Sequence, residues 1–181
     1  LSMMRMGLVM AITVIFATSS ESASAQKTSA RKTQPLRFEI SFQPTAHAQP
    51  ITGRVYVMIA RPGDGAAPNA APGAPSTAGA GEREPRLQIG RTGSPFFGRD
   101  VEKLAPGQAA IIDATDLGTP VASLRDIPAG DYLVQAMVNV YSEFTRADGH
   151  VVWMHDDQWE GQRWNVSPGN LYSAVVKMRV D

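Results

Sequence analysis

A run of alternating residues near the middle of the chain constrains the fold more than any other feature. One face of this run is wholly apolar or aromatic and consists of Tyr132, Val134, Ala136, Val138 and Val140. A period of two is the pattern of a β-strand with one face in a core. The other face carries Leu133, Met137 and Tyr141 among polar residues. We therefore predict a central strand that is at least partly covered on both sides.

The turn before this strand suggests how the strand begins. In Asp126-Ile-Pro-Ala-Gly130, Pro128 fixes its own φ and Gly130 can adopt a positive φ. A tyrosine just after such a turn, here Tyr132, suits the corner of an immunoglobulin-like sandwich, where its hydroxyl bonds back to the turn. The alternative is that Tyr132 reflects ordinary β-propensity, and the sequence favours neither.

The N-terminus has the three parts of a secretory signal peptide. Arg5 precedes an apolar run over residues 6–17, and Ala23-Ser-Ala25 is a small-residue cleavage site. The apolar run is short for a membrane span, so a retained anchor is the less favoured alternative. We predict a signal peptide over 1–25, a secreted or periplasmic mature chain, and no membrane association after cleavage.

Composition excludes several classes of partner and chemistry. The 181 residues have 17 basic and 17 acidic side chains and contain no cysteine. A balanced charge without basic blocks favours neither nucleic acid nor an anionic membrane surface as a partner. The absence of cysteine rules out disulfides, thiolate catalysis and cysteine-ligated zinc.

The remaining chain is predicted to form one all-β domain over residues 36–181, after a flexible lead at 26–35. Residues 61–82 are rich in alanine, proline and glycine and are predicted to be a disordered loop. The alternating segments 36–42 and 53–60 lie close in sequence, so we expect them to pair antiparallel.

Further strands are expected beyond the loop. We predict a short strand at 85–89, a loop at 91–100, a strand at 108–113, a hairpin return at 151–154 after Asp148-Gly149, and a last strand at 171–180. Short strands separated by frequent turns, with no helical period, indicate an antiparallel immunoglobulin-like β-sandwich of about seven or eight strands.

The sequence offers no clear catalytic site. It contains no Gly-x-Ser-x-Gly elbow, and Gly93-Ser-Pro95 lacks the required spacing. His150 and His155 have aspartates nearby, but the strand between them turns alternate side chains to opposite faces, which disfavours a shared metal ion. We predict no catalytic residue, no metal site and no cofactor.

A tryptophan-rich segment is the best candidate for binding. The candidate ligand-binding residues are Trp153, Asp157, Trp159, Glu160 and Trp164. Exposed tryptophan rings can stack on sugar faces while the neighbouring carboxylates form hydrogen bonds. The favoured alternative is that the rings pack against the end of the sandwich or against a neighbouring domain.

Several short motifs carry a resemblance to a known group of proteins. They are Asp126-Ile-Pro-Ala-Gly-Asp-Tyr132, Asn139-Val-Tyr141, Arg146-Ala-Asp-Gly-His150, Asp157-Gln-Trp-Glu-Gly161 and Ser167-Pro-Gly-Asn-Leu-Tyr172. With these motifs, residues 36–180 resemble the N-terminal region of large secreted bacterial proteins of the esterase type. In those proteins an immunoglobulin-like domain precedes an α/β-hydrolase domain.

The resemblance implies an accessory role. The 181 residues contain no hydrolase domain, so no catalytic residue can be assigned from it. It implies a non-catalytic module that positions or packs against a hydrolase domain in the same chain or in a partner protein. The alternative function is a carbohydrate-binding module that uses Trp153, Trp159 and Trp164.

Overall fold

The computed structural model describes residues 35–63, 83–156 and 163–181, together with the backbone of Ile12–Thr13. The predicted signal peptide, most of the flexible lead and the predicted disordered loop therefore lie largely outside the described residues. The strands are β1 (Ile12–Thr13), β2 (Phe38–Ile40), β3 (Ile51–Ala60), β4 (Phe96–Leu104), β5 (Ala110–Ile112), β6 (Gly118–Thr119), β7 (Gly130–Thr145), β8 (Val151–His155), β9 (Leu171–Tyr172) and β10 (Val176–Val180). Short 3₁₀ turns lie at Pro85–Leu87, Leu124–Asp126 and Trp164–Val166.

The strands form two antiparallel sheets, and β7 organises the larger one. The order of the larger sheet is β10-β7-β3-β4-β6, with β8 and β9 also paired to β7, and the smaller sheet is β1-β2-β5. Every residue from Tyr132 to Asn139 is buried, so both faces of β7 are covered as predicted. The prediction of an all-β, sandwich-like fold is confirmed.

The core lies between the two sheets. The smaller sheet contributes Phe38, Ile40, Ala110 and Ile112, and the larger sheet contributes Val55, Val57, Ile59, Phe97, Val134 and Val138. These residues are the alternate positions of their strands, as the period of two requires. Phe42, just past β2, is also fully buried.

The corner before β7 has the hydrogen bond that the immunoglobulin-type interpretation predicts. The Tyr132 hydroxyl donates to the carbonyl oxygen of Pro128 at 2.7 Å. Gly130 has a φ of 153°, which residues with a side chain rarely adopt. The turn residues singled out in the sequence therefore fix the point at which the central strand begins.

The predicted pairing of residues 36–42 with 53–60 is wrong. β2 pairs with β5, so that Phe38 lies opposite Ile112, whereas β3 lies between β4 and β7 in the other sheet. The apolar face of β3 needs a second layer to cover it, and β2 provides part of that layer. Neighbours in sequence therefore face each other across the core here.

Two predicted boundaries between Pro85 and Leu104 are also wrong. Residues 85–89 do not form a strand, because Pro85 starts a 3₁₀ turn in which the amide of Leu87 donates to the Glu84 carbonyl at 2.9 Å. Residues 91–100 are not wholly a loop, because β4 begins at Phe96. Phe97 then points into the core.

The predicted single strand at 171–180 is divided in two. Leu171 lies opposite Val138 and Met178 lies opposite Tyr132. Both pack against the core, although they are an odd number of residues apart, so the strand must break between them. At the break, the Ser173 hydroxyl accepts a hydrogen bond from the Ala136 amide at 3.1 Å.

Candidate functional site

Buried amides attach covering segments to the outer face of the larger sheet. Gln135 and Asn139 are each 1% exposed on β7. Gln135 accepts from the Arg86 amide at 3.1 Å and donates to the Ser173 carbonyl at 3.0 Å. Burial of a polar group is tolerated when its hydrogen bonds are satisfied, and the hydrogen bonds of Gln135 join β7 to the segments at Arg86 and Ser173. This part of the outer face is therefore closed.

Trp164 belongs to this closed part. Its ring stacks on Tyr56 with centroids 4.3 Å apart and also contacts Phe96 at 5.5 Å. Its carbonyl accepts hydrogen bonds from the side-chain amides of Asn139 at 3.1 Å and Asn170 at 2.6 Å. These contacts are those that the packing interpretation of Trp164 predicts.

Trp153 has a different environment. It lies on β8 opposite Glu143 and is 47% exposed. It borders an open groove of about 410 Å³ on the outer face of the sheet. The polar and aromatic side chains that line this groove are Thr52, Asp100, Glu102, Lys103, Tyr141 and Trp153.

A β-bulge shapes the groove. Ile51 lies opposite Leu104 and Gly53 lies opposite Val101, so β4 has one more residue than β3 between these pairs. Within the bulge, Lys103 has a φ of 49° and its amide donates to the Thr52 hydroxyl at 3.2 Å. Bulges bend a strand and redirect its side chains, and they are frequent beside functional sites.

The electrostatics of the groove include an ion pair and a neutral phenol. Arg54 donates to the Asp100 carboxylate at 2.9 Å and to the Gly98 carbonyl at 3.0 Å. Burial raises the pKa of the Tyr141 hydroxyl, the negative charge of Asp100 raises it further, and Arg54 opposes both. The Tyr141 hydroxyl therefore stays protonated at neutral pH and can donate a hydrogen bond.

The hairpin of β7 and β8 presents an apolar surface on its other side. Phe144 lies opposite Val152 and diagonally to Met154, and we call these three residues the hairpin face. Phe144 is 40% exposed and Met154 is 49% exposed. They continue the core-facing positions of β7 beyond the part of the strand that is buried.

Trp153 and Trp164, the two candidate site residues that the structure describes, have different neighbours. Trp164 is packed near Tyr56, whereas Trp153 borders the groove near Thr52. Asp157, Trp159 and Glu160 lie outside the described residues.

Sequence reasoning missed most of the groove, namely Thr52, Asp100, Glu102 and Lys103. No local motif marks these residues, because the pairing of β3 with β4 brings them together.

Neither a metal centre nor a spanning helix is found in the described part of the chain. Within residues 35–63, 83–156 and 163–181, no three histidine or acidic side chains are grouped to hold a metal ion. His150 lies near the hairpin tip, with its Nδ1 3.2 Å from Asp148. No helix in the same ranges is long and apolar enough to cross a membrane.

Comparison of the chain with protein-family models, with curated proteins and with solved structures finds no match. The resemblance to secreted esterases therefore stays a prediction from the quoted motifs. Any functional assignment depends on the two surfaces just described, the groove and the hairpin face.

Proposed function

We propose that this chain is an exported, non-catalytic β-sandwich module that docks against an esterase-type hydrolase domain in the same protein. The observation that carries the proposal is the hairpin face. Aromatic residues and methionine are enriched in protein–protein interfaces relative to the rest of the protein surface. Here Phe144 lies opposite Val152 and diagonally to Met154, on the hairpin of β7 and β8.

The position of the hairpin face favours a partner over solvent. Phe144 belongs to the face of β7 that carries Val134 and Val138 into the core, but it is exposed. A contiguous apolar patch on an otherwise well-packed sandwich marks an interaction site.

The choice of a hydrolase domain as the partner rests on two sequence observations. The motifs over residues 126–172 resemble the module that precedes such a domain in secreted esterases. The chain itself has no Gly-x-Ser-x-Gly elbow that could act as the nucleophile of an α/β-hydrolase. In this role the module would position the hydrolase domain or shape access to its active site.

Cysteine labelling tests the docking surface, because the chain has no cysteine of its own. We would compare maleimide labelling of Met154→Cys in the 181-residue chain and in the full-length protein that includes the hydrolase domain. Docking should slow labelling at least tenfold in the full-length protein. Leu117→Cys is the control, because Leu117 is 79% exposed on a distant turn and should react equally in both.

Two results would overturn the proposal. Equal labelling of Met154→Cys in the two proteins would show that the hydrolase domain does not cover the hairpin face. Protection that appears in the 181-residue chain alone and increases with its concentration would show that a second copy of the chain is the partner.

A further inference from the structure

We propose that the groove beside Trp153 binds an uncharged saccharide. This site is separate from the hairpin face, since Trp153 and Phe144 project from opposite sides of the hairpin. The inference therefore does not depend on docking to a hydrolase domain. It also places the site away from Trp164, whose ring is already in contact with Tyr56.

The aromatic side of the groove supplies a surface for stacking. Trp153 is about half exposed, and Tyr141 lies on the same face of the paired strands β7 and β8. The C–H face of a sugar ring packs on such an indole, while the hydroxyl groups at its edge remain free to form hydrogen bonds. The volume of about 410 Å³ is within the range of small-ligand sites.

The polar side of the groove supplies donors and acceptors at fixed places. The Asp100 carboxylate accepts a hydrogen bond from Arg54 at 2.9 Å and is exposed, so its remaining lone pairs can accept from a ligand. The Tyr141 hydroxyl is protonated at neutral pH and can donate, and Glu102 can accept. Sugar hydroxyls both donate and accept, so they match this mixture better than a purely apolar ligand would.

The charges around the groove favour a neutral ligand. The carboxylates of Asp100 and Glu102 are matched by the cations of Arg54 and Lys103, and Glu143 opposite Trp153 adds one more acid. A site for phosphate or for an acidic polymer would instead show an excess of basic side chains. The absence of such an excess among these residues leaves hydrogen bonding and stacking as the main sources of affinity.

The backbone beside the groove departs from regular strand geometry. Lys103 has a left-handed φ of 49°, which residues with a side chain rarely adopt, and it lies within the bulge of β4. The bulge interrupts the regular ladder beside Gly53, where a side chain would collide with the Asn139 carbonyl oxygen. Such conformations persist where the surrounding structure holds them, and they cluster at ligand sites.

Affinity gel electrophoresis tests the inference. The 181-residue chain would be run in native gels that contain xylan, barley β-glucan or hydroxyethylcellulose, all neutral polymers, and in gels that contain carboxymethylcellulose as an anionic polymer. We expect retardation in at least one neutral gel. Trp153→Ala should weaken that binding about tenfold, which corresponds to the loss of one stacking contact.

Two variants serve as checks on this result. Leu117→Ala removes an exposed apolar side chain from a turn outside the groove and should bind as the wild type does. Glu102→Gln keeps the shape of an exposed side chain and should weaken binding severalfold without changing the melting temperature. This second variant tests the groove even if Trp153→Ala fails to fold.

Three results would overturn the inference. They are no retardation in any neutral gel, retardation only in the anionic gel, and binding that is unchanged in both Trp153→Ala and Glu102→Gln. None of these results bears on the docking proposal, whose readout is the labelling of Met154→Cys.

Discussion

The two tryptophans with described side chains should respond in opposite ways to removal of their rings. Trp164 stacks on Tyr56 at 4.3 Å and contacts Phe96 at 5.5 Å, whereas Trp153 is 47% exposed beside an open groove. Replacement of Trp164 by alanine removes a packed ring and leaves a gap between the sheet and the segment that covers it. Replacement of Trp153 removes a ring that already contacts water.

The expected size of the difference follows from burial. Truncation of a fully buried tryptophan costs about 3–5 kcal/mol. Trp164 is only partly buried, so we scale this to a loss of about 2–4 kcal/mol in the free energy of unfolding. For a chain of this length such a loss lowers the melting temperature by roughly 5–15 °C. Trp153→Ala should cost less than about 1 kcal/mol.

Urea and thermal unfolding followed by far-ultraviolet circular dichroism measure both variants without relying on tryptophan fluorescence. Trp164→Phe is a useful third variant, because it keeps an aromatic ring against Tyr56 and should recover part of the lost stability. A free energy of unfolding of Trp164→Ala within about 1 kcal/mol of the wild-type value, the size of one hydrogen bond, would refute the packing of the Trp164 ring. It would also be refuted if Trp153→Ala were the more destabilised of the two.

Three further predictions concern other contacts. Tyr132→Phe removes the hydrogen bond to the corner turn and should cost about 1 kcal/mol in urea unfolding; an unchanged midpoint would argue against the corner. Gly53→Ala should lower the melting temperature strongly, because its new methyl group meets the backbone of Asn139, whereas Gly90→Ala has open space and should not. Equal melting of these two variants would contradict the account. Burial raises the pKa of the Tyr56 hydroxyl above its unfolded-state value of about 10, so the folded protein favours the protonated phenol. The stability that this adds is fully present below pH 10 and is lost as the pH rises above that value. Tyr56→Phe should therefore lose less stability than the wild type in alkaline unfolding, and equal losses would contradict the burial argument.

The period of two in the sequence predicted the strands that face the core on alternate residues. Val134 and Val138 in β7, and Phe38 and Ile40 in β2, are buried as their spacing indicated. Tyr132 could be placed at a corner because the turn before it has a specific residue pattern. These features are local, and each is decided by a few neighbouring residues.

Strand partners could not be predicted in the same way. The period shows which face is buried, but it does not show which strand covers that face. Short separation suggested that β2 and β3 pair, but the core needs β2 in the opposite layer. The break at Ser173 could not be predicted either, because the apolar residues on either side of it suggested one continuous strand.

The candidate site was only partly visible in the sequence. A tryptophan can be recognised from the sequence as a candidate binding residue, but its burial depends on partners distant in sequence, such as Tyr56 and Phe96 for Trp164. Of the groove residues, Trp153 was singled out as a binding residue and Tyr141 was noted on the outer face of its strand. Asp100, Glu102 and Lys103 come to the groove through strand pairing and a bulge, which leave no local motif.

The coding sequence downstream of the Asp181 codon provides the most direct test of the proposed docking function. If the module docks against a hydrolase domain in its own chain, the reading frame stays open and continues into a domain that contains Gly-x-Ser-x-Gly. A stop codon directly after Asp181 would contradict the proposal that this module docks against a hydrolase domain in its own chain.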